Sequence, residues 1–237
     1  MNKPFSILVG ILLILMGGVA LTLTMGLPML GWGDWGWGAW RLWPMVIVLA
    51  GLLFVASPLL VRGQRGLGGL YIPGMPILTT GSILLIASLF RFWHVWTWLW
   101  PLEVLALASG FFFAALYMRN IWLIIPAIIV GLNGLVLQFC AITGLWHWWA
   151  VLWTVEPLAV GLSLMTVSVK PRSSALFLAG VILCGLAGIG FAGMTALTFS
   201  SWRLFHWIGP AILILTGLAL LVWGFLPRAS SPRPATA

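Results

Sequence analysis

Hydrophobic positions in this chain come in long unbroken runs, separated by short polar or Trp-rich breaks. A bilayer's hydrocarbon core, about 30 Å thick, takes about 20 apolar residues of helix. Eight segments have that length, at roughly 4–26, 41–61, 71–91, 98–118, 121–142, 150–169, 175–198 and 207–226. Their order predicts an all-α, polytopic membrane protein of eight helices. Pro44, Pro101 and Pro210 fall near the starts of the descending helices, where a missing N–H costs nothing. Pro126 lies deeper, in a first turn or at a modest kink.

The breaks repeat. Trp93 to Ala106 returns 53 residues later as Trp146 to Ala159, with eight of fourteen positions identical: Trp93/Trp146, His94/His147, Trp96/Trp149, Leu99/Leu152, Trp100/Trp153, Glu103/Glu156, Leu105/Leu158 and Ala106/Ala159. A looser copy lies upstream at Leu42-Trp43-Pro44, and another downstream at Trp202 and Pro210. Self-similarity at a fixed period makes the repeat the architectural unit. The expected units are four helical hairpins, 1–61, 71–118, 121–169 and 175–226, followed by a Pro/Ser-rich disordered tail, 227–237.

Composition agrees with a bilayer as solvent: 62% of residues are hydrophobic and 6% charged, where a soluble domain carries about a quarter charged. The net charge of +8 forms no basic stripe, so nucleic acid is excluded as a partner and the cations read as topology signals. Lys3, Arg62, Arg65, Arg119, Lys170, Arg172, Arg228 and Arg233 fall on one side, against Arg41, Arg91 and Arg203 on the other. The positive-inside rule then puts both termini in the cytoplasm, with every hairpin facing alike, unlike an inverted-repeat transporter. The N-terminus imitates a signal peptide but reads as an uncleaved first span. Membrane lipids are expected partners, together with other membrane proteins or further copies of this chain.

Fifteen of the 17 Trp lie at the outer turns or the first turn of a descending helix. Trp43, Trp93, Trp96, Trp100, Trp146, Trp149, Trp153, Trp202 and Trp207 are the expected membrane-interface residues, since an indole settles where hydrocarbon meets headgroup. A belt so one-sided suggests a rigid outer rim. Small residues recur as well. Gly51, Ala108, Gly161 and Gly217 stand seven residues after equivalent markers, and Gly81, Gly134 and Gly190 stand twenty before them. These are the expected helix-packing positions. The seventh segment, with Gly180, Gly185, Gly188, Gly190 and Gly193, is expected to be central and closely packed.

The first unit, Gly10-Ile-Leu-Leu-Ile-Leu-Met-Gly17, a Trp/Asp/Gly turn and Trp40-Arg-Leu-Trp-Pro44 running on to Gly51, resembles the LiaI/LiaF-like transmembrane region of bacterial envelope proteins. The resemblance is closest over residues 5–60, partial over 70–118 and faint over 121–169 and 175–226. It implies a protein of the bacterial cytoplasmic membrane linked to envelope stress or regulation, and it carries over no catalytic residue. Four tandem copies without a soluble domain depart from that pattern.

Candidate chemistry is sparse. The three carboxylates are Asp34, in a solvated turn, and Glu103 and Glu156, each three residues into a descending helix. There they could stabilise the helix N-terminus. Alternatively, they could work with His94 and His147, nine residues earlier, to bind a cofactor or to relay protons. Units one and four lack both residue types in these slots. No metal-binding spacing, phosphate-cradling loop or nucleophile triad is present in the sequence. Cys140 and Cys184 read as buried thiols, and Arg62 to Gly69 reads as a flexible inner linker suited to anionic lipid. The expected function is that of a non-enzymatic multi-pass scaffold or envelope-associated partner, without cofactor. The alternatives are a cofactor- or lipid-binding subunit using His94 and His147, and a small-molecule or proton-coupled transporter using Glu103 and Glu156.

Overall fold

A computed structural model describes Gly10, Ile14, Gly17, Gly18 and residues 40–61, 63–198 and 207–225. Seven long helices follow one another: α1 (Met45–Leu60), α2 (Tyr71–Leu89), α3 (Pro101–Met118), α4 (Ile124–Thr143), α5 (Val155–Ser168), α6 (Ser174–Thr198) and α7 (Ile208–Phe225). They coincide with the second to eighth predicted segments. The first segment, 4–26, lies outside the described residues except for four helical positions. The turn holding Asp34, the residues Trp202, Arg203 and His206, and the tail 227–237 also lie outside them.

Among the described residues, five spans are long and apolar enough to cross a membrane: Trp40–Leu60, Arg65–Leu89, Pro101–Met118, Ile121–Thr143 and Ser174–Thr198. Trp146–Leu152 and Val155–Ser168 together make a sixth, bent by 49°. The chain is a multi-pass helical membrane protein. Pro44 precedes α1, Pro101 opens α3, and Pro126 sits in the first turn of α4. Pro58 and Pro76 stand inside α1 and α2, and each leaves a carbonyl one turn earlier without its helical N–H.

Each helix packs extensively on its neighbours in sequence. The most extensive interfaces are α1 with α2, α3 with α4 and α5 with α6, the pairs joined by the connections that carry Arg65, Arg119 and Lys170. In the predicted units, these are interfaces between one hairpin and the next. Glycine explains the closeness. In lipid, helices gain little by hiding apolar surface, so association depends on how near the backbones can come. A Cβ on Gly51 of α1 would stand 2.5 Å from the Leu78 Cα of α2, and one on Gly81 of α2 would stand 2.7 Å from the Val48 nitrogen of α1. Gly134 of α4 closes on Leu105 of α3, and Gly161 of α5 closes on Cys184 and the Gly180 carbonyl of α6. Ala108 is buried in α3, facing Gly131 of α4. Gly190 makes only an ordinary contact with Thr154, and Gly217 has nothing within 4 Å. The packing role expected at Gly217 is therefore not seen among the described residues.

Helix α6 is the most enclosed span, with 39% of it buried against 17% to 33% in the other four unbroken spans. Its glycines divide the work: Gly180 meets α5 and Gly188 meets α7, while Gly185 and Gly193 face open space. Both cysteines are buried and free. The inner linker departs from the expectation of flexibility. Residues Arg65–Leu70 form a 3-10 helix, and Gly68 lets it close over Tyr117 and Met118 at the end of α3.

Candidate functional site

Two Trp-rich connections between described helices share one construction. Trp93–Val95 and Trp146–Trp148 are single 3-10 turns, and each runs into a four-residue α-turn, Trp96–Leu99 or Trp149–Leu152. The Val95 N–H donates to the Phe92 carbonyl, and the Trp148 N–H donates to the Leu145 carbonyl 53 residues on. Val95 and Trp148 are the buried plugs of their connections. Most of the remaining indoles are exposed: Trp93, Trp98, Trp146, Trp149 and Trp153. Trp207, ahead of α7, is exposed too, while Trp43, Trp96 and Trp100 are half-buried.

Two contacts tie these connections to each other. Trp100 and Trp146 stack at 6.3 Å between centroids and 10° between planes. Gln138 of α4 donates from Nε2 to the Trp98 carbonyl at 2.8 Å, and its Oε1 is buried without a protein partner. Stacked aromatic pairs contribute about 0.5–1.5 kcal/mol beyond the area they bury. The pair joins the second predicted unit to the third.

The candidate chemical residues lie apart in role. His94 is exposed and edges onto Trp98 at 5.3 Å and Phe92 at 6.5 Å. His147 is exposed and edges onto Trp148 at 6.2 Å. Glu103 is half-buried, and its Oε1 accepts a hydrogen bond from the Thr80 hydroxyl of α2 at 2.7 Å. Glu156 is exposed, and the Asn133 amide in the slot equivalent to Thr80 donates to the Ile129 carbonyl of its own helix. Both glutamates stand in the first turn of their helices, whose N-cap residues Trp100 and Thr154 make no side-chain capping hydrogen bond. Among the described residues, no three of His, Cys, Asp and Glu gather where a metal ion could be held. The Thr80–Glu103 bond had no signal in the sequence beyond the matching slots of Thr80 and Asn133.

The helix ends remote from the Trp-rich connections carry a different set. Arg119 and Arg172, again 53 residues apart, both adopt left-handed backbone, with φ of 54° and 48°. The Lys170 ammonium donates to the Arg119 carbonyl at 3.5 Å. Compared with protein-family models, with curated proteins and with solved structures, the chain matches none of them.

Proposed function

We propose that this is a non-enzymatic protein of the bacterial cytoplasmic membrane that serves as a scaffold or envelope-associated partner through its Trp-rich outer rim. Four tandem hairpins make eight spans, with both termini in the cytoplasm. The distribution of Arg and Lys over the connections supports that orientation. The observation that carries the functional reading is the stacking of Trp100 on Trp146. It couples successive outer connections into one surface, and the exposed indoles beside it offer rigid, amphipathic contact area of the kind enriched at interfaces. The likeness of the first unit to LiaI/LiaF-like regions fits an envelope role. Glu103 is occupied in holding α2 against α3, which supports a structural rather than a transport role for it.

Complementation of a deletion strain under envelope stress tests this reading. Trp100→Leu with Trp146→Leu should abolish rescue, whereas His94→Ala with His147→Ala, and Glu103→Gln with Glu156→Gln, should rescue fully. Full rescue by the tryptophan variant, with loss in the histidine or glutamate variants, would move the function to a cofactor site or a transport path.

A further inference from the structure

The inner face carries an open cavity of about 290 Å³ between the connection leading into α4 and the one leading into α6. Asn120, Ile121 and Trp122 line it from one side, and Lys170 and Pro171 from the other. The corresponding space one unit earlier is filled, because the 3-10 helix Arg65–Leu70 packs on the end of α3.

Lys170 lines this cavity, and Arg119 and Arg172 stand next in sequence to its lining residues Asn120 and Pro171; all three cations are exposed. The described carboxylates are remote from them. Glu103 is in the first turn of α3 and Arg119 at its end, about 24 Å apart at 1.5 Å per residue. Glu156 bears the same relation to Lys170 and Arg172 along α5. The Lys170 ammonium spends one of its three donors on the Arg119 carbonyl, which holds it at the cavity with donors to spare. A cation at a helix C-terminus is also favoured by the helix dipole, so Arg119 is held at its place despite a conformation that favours glycine.

The surroundings of the charge are apolar. Leu116, Trp122 and Val169 are 58%, 52% and 63% exposed and lie within three residues of a cation in sequence. A ligand suited to this place has a phosphate for the cations and hydrocarbon for the flank. We propose that the cavity binds one anionic phospholipid, its phosphate between Lys170, Arg172 and Arg119 and its acyl chains along Leu116, Trp122 and Val169. Free phosphate shares the headgroup chemistry but leaves the apolar flank unused. The site requires a bilayer but not the scaffold role of the outer rim, so the two proposals fail separately.

The test is native mass spectrometry of the full chain in detergent, titrated with phosphatidylglycerol and, separately, with phosphatidylcholine. The first phosphatidylglycerol should bind about tenfold more tightly than phosphatidylcholine. At about 1 kcal/mol for each cation near a headgroup, Lys170→Gln should weaken it about fivefold and Lys170→Gln with Arg172→Gln about thirtyfold. Arg119→Gly, which suits the left-handed backbone and removes the side chain with its charge, should also weaken it about fivefold. Arg65→Gln, in the filled neighbouring connection, should change it less than about twofold. Equal binding of the two lipids, or unchanged binding in the double variant, overturns the proposal. Equal losses in Arg65→Gln and Lys170→Gln would show a diffuse charge effect and overturn it as well. Displacement of the lipid by millimolar inorganic phosphate would reassign the site to a free anion.

Discussion

Residues 53 apart in the second and third units hold the same places. Ala87 and Cys140 are both fully buried, as are Ala114 and Val167, and Ala106 matches Ala159. The N–H of Asn120 donates to Ala115 and that of Ser173 to Ser168, across the same five-residue step. Arg91 and Gly144 both take positive φ, at 53° and 72°, as do Arg119 and Arg172. The backbone is therefore repeated faithfully. What differs is the side chains at the joints. Thr80 reaches Glu103 across helices, while Asn133 bonds within α4 and leaves Glu156 exposed. Ala108 stands where α5 has Gly161. A repeat of this kind conserves backbone geometry and which positions are buried, and leaves side-chain size and polar partners free to vary.

Exchanging the joints sharpens that comparison, and the glycines give the largest effect. A Cβ at Gly161 would lie 2.7 Å from the Gly180 carbonyl and 2.9 Å from the Cys184 nitrogen. Backbone cannot give way as a side chain can. Gly161→Ala, which copies unit two into unit three, should therefore cost about 2 kcal/mol by overpacking. Unfolding by SDS titration in mixed micelles would measure it. Ala108→Gly, the reverse copy, should cost only about 0.5–1 kcal/mol, mostly through backbone entropy. Similar losses in both would mean that α3–α4 and α5–α6 are equally close.

Next in size is the outer stack. Trp100→Leu should cost about 1 kcal/mol beyond lost area, and a double-mutant cycle with Trp146→Leu should return that coupling. Smaller still is the polar joint. A cycle of Thr80→Val with Glu103→Gln should show coupling of about 0.6 kcal/mol, and one of Asn133→Val with Glu156→Gln should show none. Gly217→Ala, with nothing near it, should stay within about 0.5 kcal/mol of the parent.

The spans were legible because hydrocarbon demands long apolar helices: helices occupy seven of the eight segments, and among the described residues five of them, or six with the bent pair, are long and apolar enough to cross a membrane. The small residues at Gly51, Gly81, Gly134 and Gly161 were legible from their recurrence. Their partners were not, since a glycine announces that something comes close without saying from which side. The most extensive contacts proved to lie across the basic connections, between the predicted units rather than within them. The short helices inside the Trp-rich connections were also hidden, because indoles chosen for the interface carry no helical periodicity. Arginine at left-handed positions ran against expectation, since glycine is the usual occupant. At the rim, His94 and His147 lie on the Trp-rich connections and Glu103 and Glu156 in the first turns of the helices that follow, as their spacing suggested, but the sequence could not show that Glu103 already has a partner in Thr80.

The account depends most on every unit facing the same way across the bilayer. In a chain whose Cys140 and Cys184 are replaced by Ala, single cysteines at Gly66, His94, His147 and Arg172 can be probed with a membrane-impermeant maleimide on intact cells. Positions 94 and 147 should react at once, and 66 and 172 only after the membrane is opened. Reaction of 66 and 147 together from outside would contradict the arrangement.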